Sequence, residues 1–238
     1  MEPKRLISVI VGLAAMTAAT GWSAEEEPLG VSFDGLTLIE HADVDVTYVL
    51  PEADFSIYNR VMILEPQVAF RRTWQRDVNR GVRGTAARVT TQDMDRIKSQ
   101  MSELFLEVFT QELTNGGLAI VEEPGEDVLI VRPAIVNLNV AAPDTQTASR
   151  NRVFVANAGS ASLFIELYDS LTGQILARAA DSRSARTSPG FQWASAVTNR
   201  SEARNALRIW ARTLVDSLNE VRHRETVISA APQEQERL

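Results

Sequence analysis

The chain has 238 residues, 45% of them apolar and 23% charged, a formal net charge of −7 and no cysteine. That composition suits one globular domain with a real core, and it excludes disulfides, thiolate metal sites and cysteine nucleophiles. The acidic balance argues against nucleic acid as a partner, because phosphate binding needs a dominant basic footprint.

Residues 1–24 carry Lys4 and Arg5, then an uncharged run from Leu6 to Ala19, then small residues ahead of the acidic triplet Glu25 to Glu27. This is the layout of a secretory signal. The apolar core of 14 residues is shorter than the roughly 20 that a spanning helix needs. Counted through Ala24 it reaches 19, so a signal peptide and an uncleaved signal anchor both stay open. Cleavage after Ser23 places Gly21 and Ser23 at the small-residue sites, cleavage after Ala24 puts bulky Trp22 at one of them, and Ala19 is a third option. An exported protein is expected, in the periplasm or tethered facing it.

Residues 25–57 read as an extended acidic arm with short strand pieces, punctuated by Pro28, Gly30, Gly35 and Pro51. Charge changes sharply along the chain. Residues 25–65 hold ten acids against Arg60 alone, whereas residues 66–90 hold Arg71, Arg72, Arg76, Arg80, Arg83 and Arg88 against Asp77 alone.

An α/β domain is expected over residues 58–224. YNRVMILEPQVAF (58–70) is one β-branched strand, bent or ended at Pro66. Arg71 to Thr90 reads as a loop. Thr90 to Asp93 opens a helix with hydroxyl caps, and Met94, Ile97, Met101, Leu104, Phe105, Val108 and Phe109 follow at helical steps. Gly116 and Gly117 stop it. A short strand (118–123) and a long one (127–143) follow. Strict alternation puts Ala134, Val136, Leu138 and Val140 on one face of the long strand, with Ile135, Asn137 and Asn139 opposite. Residues 160–169 alternate again, turn at Asp169 to Gly173, and return over 174–186. A last helix starts at Asn199 to Glu202, with Leu207, Trp210, Ala211, Leu214, Leu218 and Val221 as its apolar stripe. Residues 225–238 read as a disordered tail.

Two amphipathic helices and a meander of strands make a two-layer sandwich of the α/β (α+β) class. Its mixed, mostly antiparallel sheet would be covered on one face by both helices. Asn137, Asn139, Glu166, Arg178, Ser182 and Ser184 could line the other face.

DGLTLIEHADVDVTYVLPEADFSIYNRVMILEPQVAFRRTW (34–74) and the hairpin ELYDSLTGQILARAADSR (166–183) resemble the uncharacterised bacterial lipoprotein family filed as domain of unknown function 3313. The likeness covers roughly residues 30–225. It implies an envelope domain like those of transport-auxiliary lipoproteins and Tol-type periplasmic proteins, with no activity to carry over. Members usually carry a lipidated cysteine; Trp22 stands in its apparent place here, which puts lipid anchoring in doubt.

No catalytic motif stands out. His41 and His223 are far apart and lack converging ligands, so no metal is expected. There is no Gly-x-Ser-x-Gly elbow and no phosphate loop, and no cofactor is implied. Glu166 with Asp169, or Asp127 with Asp181, could serve a hydrolase on the open sheet face. Asp169 reads better as a turn former, and Asp181 with Arg183 as an ion pair on a strand face. Arg204, Arg208 and Arg212 read as the solvated back of the last helix. The candidate binding residues are Arg71, Arg72, Trp74, Arg76, Arg80 and Arg83: either a contact surface rich in hot-spot residue types, or a solvated loop balancing the acidic arm. The expected function is that of an exported binding or accessory protein of the cell envelope, not an enzyme; the alternative is a carboxylate-dependent periplasmic hydrolase. Expected partners are an envelope protein, a lipid headgroup, a cell-wall polymer or a second copy of the chain.

Overall fold

The structure is a computed structural model that describes residues 31–80, 82, 88–140, 153–155, 159–184, 192–194 and 196–229. The expected signal segment 1–24, Arg83 and residues 230–238 lie outside the described residues.

The chain runs β1 (Thr37–Ile39), β2 (Val46–Val49), β3 (Arg60–Ile63), β4 (Gln67–Phe70), α1 (Trp74–Asn79), α2 (Thr91–Asn115), β5 (Ala119–Ile120), β6 (Val128–Val140), β7 (Val153–Val155), β8 (Gly159–Asp169), β9 (Ile175–Ser184), β10 (Gln192–Ala194) and α3 (Ala196–Ser229). Eight strands form one sheet in the order β1-β2-β9-β8-β6-β3-β5, with β4 also beside β6. β3 and β4 run parallel to β6, and β5 parallel to β3, while β6, β8, β9, β2 and β1 pair antiparallel. α2 is the helical crossover that the parallel β3–β5 pair requires. β7 and β10 pair separately. This is the expected two-layer sandwich, and its mixed sheet is mostly antiparallel.

Local signals set the helix and turn boundaries. Thr90 accepts from the Asp93 backbone at 3.1 Å and Asp93 accepts from the Thr90 backbone at 2.9 Å, so α2 opens on a reciprocal cap. The β8–β9 turn closes at Gly173, whose φ of +69° suits glycine. Asp169 accepts there from the Leu171 and Thr172 backbones.

The core lies between the sheet and the helix pair. Leu129, Val131, Ile135, Leu163, Ile165 and Leu167 face inward from the sheet. Phe105 and Phe109 stack with centroids 3.9 Å apart on α2, and Leu207, Ala211, Val215 and Leu218 face them from α3. The ion pairs Glu107–Arg204 and Glu112–Arg212 fall in the same order along both helices, so α2 and α3 run in the same direction.

Four expectations are revised. The sheet does not start at residue 58: β1 and β2 precede it and pair onto β9, burying Leu36 on the way. The segment 71–90 is not all loop, because α1 forms there and Trp74 is 1% exposed. The alternation of β6 breaks at Asn137, whose φ is +54°, with a register shift against β8 between Val136 and Asn139. That bulge leaves Ile135 and Leu138 both buried, so the faces predicted by strict alternation do not hold. Finally, α3 extends to Ser229, into the stretch read as tail.

α2 and α3 touch closely at one point. A Cβ on Gly116, just past α2, would lie 2.4 Å from the Val215 Cγ1. Gly116→Ala should therefore destabilise by about 1–3 kcal/mol, as overpacking does. In a Val215→Ala background that extra loss should largely vanish. Thermal melting of the two single variants and the double variant checks this; an undiminished loss in the double variant would place the clash elsewhere.

Candidate functional site

Away from the Gly116 contact the two helices no longer close over the sheet, and a cleft of about 650 Å³ opens between them. Its floor is the end of the sheet where β6 finishes and β8 starts: Ile135, Leu138 and Ala161. α2 contributes Ile97, Met101 and Leu104, and α3 contributes Ala203, Ala206, Leu207 and Trp210. The bulge at Asn137 builds the floor, because it turns Leu138 to the same side as Ile135. Ala203 and Ala206 keep it open, since a larger side chain at those stripe positions would reach toward α2. Gln100, Asn139, Ser160, Ser182, Ser184 and Asn205 form a lip of neutral hydrogen-bonding groups, joined by Arg183, Arg200 and Glu202.

One wall is held by a buried carboxylate. Asp181 accepts from the Trp210 Nε1 at 2.7 Å, and the Arg183 Nε lies 2.8 Å from the same oxygen. The Asp45 backbone donates to the other oxygen at 3.3 Å. The expected Asp181–Arg183 pair therefore exists, on the sheet face under α3. Three groups occupy the carboxylate, which leaves it a positioning role for the Trp210 ring.

Asp169 is likewise occupied. It takes the Thr172 hydroxyl at 2.7 Å and the Tyr58 hydroxyl at 2.9 Å besides its turn amides. The Thr172 backbone N–H and hydroxyl together hold its carboxyl below the usual aspartate range, and burial followed by the Asp169 charge pushes the Tyr58 hydroxyl upward. Glu166 sits on the open sheet face, taking Arg178 at 3.0 Å and the Tyr168 hydroxyl at 2.8 Å. Arg178 also donates to Asp34 at 2.7 Å. Asp127 is bound by Arg60. The carboxylates of the hydrolase alternative are thus spread over separate ion pairs and a turn. Asn139, Ser182 and Ser184, expected on the open face, border the cleft. His41 meets Ser217 of α3 at 3.0 Å. Among the described residues no group of three or more His, Asp or Glu side chains could hold a metal.

The candidate arginine surface is reorganised around α1. Trp74 cannot meet a partner: it is buried, stacks on Phe70 at 4.1 Å and donates to the Val140 carbonyl at 3.0 Å. Arg71, Arg76 and Arg80 converge on Asp77 at 3.0, 3.3 and 4.0 Å, and Arg72 is exposed beside them. Arg204, Arg208 and Arg212 are not a solvated back. Arg204 grips Glu107 at 2.8 and 2.9 Å, and Arg208 and Arg212 reach the buried Glu112 at 3.2 and 2.9 Å. They bridge the two helices. Sequence reasoning placed Met101, Leu104, Leu207 and Trp210 on apolar stripes but missed the cleft; Ala203 and Ala206, each four residues before one of the stripe residues Leu207 and Trp210, were the available signal.

A family model described as Protein of unknown function (DUF3313) matches residues 26–214. No curated protein matches. Solved structures with some likeness include the PelC dodecamer from Paraburkholderia phytofirmans, at 11% identity and a TM-score of 0.33, covering 68% of this chain and 91% of that one. A DUF330 protein from Xanthomonas campestris gives 13% and 0.37, covering 71% and 89%. A DUF4136 family protein from Bacteroides thetaiotaomicron gives 9% and 0.32, covering 79% and 97%. At such identities and scores nothing of their ligands or assemblies transfers to this chain.

The charge on Asp169 is favoured by folding, so its contribution should be complete above the unfolded value of about 3.9 and fade as pH falls through the lower folded value. Asp169→Asn should cost about 1–3 kcal/mol at about pH 7 and clearly less at about pH 3. Urea midpoints at the two pH values test this, and an equal loss at both would show that the charge is not what the turn stabilises.

Proposed function

The chain belongs to the family described as Protein of unknown function (DUF3313), and from that premise we propose that it is an exported binding or accessory protein of the cell envelope, working through the cleft between α2 and α3. The observation that carries this reading is the cleft itself: an apolar floor with a hydrogen-bonding lip, in the size range of small-molecule sites. Binding is favoured over hydrolysis because Asp169, Asp181 and Glu166 are each committed to turn, wall or ion-pair contacts. General acid–base work needs two carboxyls aimed at one reacting group.

The export part of the reading rests on residues 1–24, with their positive start, short apolar core and small residues. Among the described residues no helix is long and apolar enough to cross a membrane. Membrane attachment would therefore fall to the N-terminal segment. The α1 arginines supply a second contact: Arg71, Arg76 and Arg80 share the single Asp77, which leaves positive charge beside exposed Arg72 on an acidic protein. Such a surface suits an anionic envelope component, whether protein face, lipid headgroup or wall polymer.

Fractionation with N-terminal sequencing tests the location. The expected outcome is a periplasmic pool starting near Ala24, or a membrane-bound pool exposed to periplasmic protease. A cytoplasmic pool retaining Met1 would end the export reading. For the cleft, the fluorescence of an apolar probe such as N-phenyl-1-naphthylamine should rise on binding the full chain. Ala206→Trp, which reaches into the cleft from a half-buried position, should abolish that rise and cost no more than the about 1–3 kcal/mol of overpacking.

A further inference from the structure

The size and lining of the cleft narrow its ligand. At a water molecule's share of volume, roughly 30 Å³ per heavy atom, the cleft has room for at least about twenty. That is one long hydrocarbon chain with a small head. The floor offers no polar side chain: Ile135, Leu138 and Ala161 below, Met101 and Leu104 on one side, Leu207 on the other. Unbranched methylenes fit such a surface without stranding a polar group.

The lip has different chemistry. Its neutral amides and hydroxyls, among them Gln100, Asn139, Ser160 and Asn205, can donate and accept. Its charges cancel, with Arg183 lying 2.8 Å from Asp181, Arg200 and Arg204 sharing Glu107 at 3.9 and 2.8 Å, and Glu202 offsetting the remaining arginine. A headgroup there meets hydrogen-bonding partners rather than a strong net field.

We propose that the cleft holds the acyl chain of a single-chain amphiphile, with the hydrocarbon on the sheet floor and the polar head at the lip. The proposal rests on the cleft-binding reading above. Its signature is chain length. Each methylene buried should tighten binding about fourfold until the floor is covered, after which added carbons protrude and gain little. Charge on the head should matter much less, because the lip carries little unbalanced charge.

The test uses the full chain purified without detergent, N-phenyl-1-naphthylamine as reporter, and two competitor series below their micelle concentrations. One series is fatty acids and the other lysophosphatidylcholines, each from about eight to about sixteen carbons. The expected result is displacement that strengthens about fourfold per methylene and then levels off, in both series alike. Ala206→Trp should weaken the longest chains at least about thirtyfold, equivalent to filling the space of two or three methylenes. Ala203→Phe is the second filling variant should the first fail to fold. A strong preference for fatty acid over lysolipid of equal length would overturn the neutral lip, and a flat chain-length profile would overturn the acyl ligand. If the reporter binds and Ala206→Trp blocks it but no acyl competitor displaces it, the ligand class falls and the cleft-binding reading stands. If the reporter does not bind at all, both fall.

Discussion

Two helices lie side by side on one face of the sheet and come very close where α2 ends. Gly116 makes that possible, because with no side chain it lets Val215 of α3 approach the end of α2. The contact is reinforced by Glu112, which is buried and takes Arg208 and Arg212 from the other helix. Such a carboxylate is tolerated because it is paired, and with two arginines on it the loss of either one leaves the charge compensated by the other. Toward the start of α3 the small residues Ala203 and Ala206 line the cleft. The cleft therefore lies between a close helix contact and a stretch of short side chains.

The sheet contributes to the same result. β6 is its longest strand, with β3 and β4 along one edge and β8 along the other. Near its end the left-handed Asn137 shifts the register by a bulge. Asparagine adopts that conformation more readily than most side chains, since its short polar group bonds locally. The bulge turns Leu138 inward and frees the Val140 carbonyl to accept from buried Trp74. A single backbone irregularity thereby shapes the cleft floor and anchors α1.

Polar groups divide by position. On the open sheet face, Arg178 joins Glu166 to Asp34, all three only partly exposed. Under α3, the Trp210 indole and Arg183 share Asp181 in a buried setting, where a lost partner is far more costly. The same residue types serve on the open sheet face in one place and as a cleft wall in another.

Most elements were legible from the chain itself. The Thr90–Asp93 cap, the glycine stop of α2, the Asp169–Gly173 turn and the 163–167 alternation are local signals, set by backbone hydrogen bonding and side-chain period within a few residues. The two-layer class follows from them, because amphipathic elements must bury their apolar faces together. Which arginines are free to face a partner was not legible, since Arg204, Arg208 and Arg212 differ from Arg72 only in what lies across from them. Nor was the burial of Trp74, which depends on Phe70 and on a carbonyl 66 residues away. The sequence by itself determined the elements, their order and the apolar face of each, because these depend on neighbours along the chain. Only the tertiary structure decided the cleft, because its lining comes from five separated segments, and its volume is set by a helix contact and a strand bulge that no periodicity encodes.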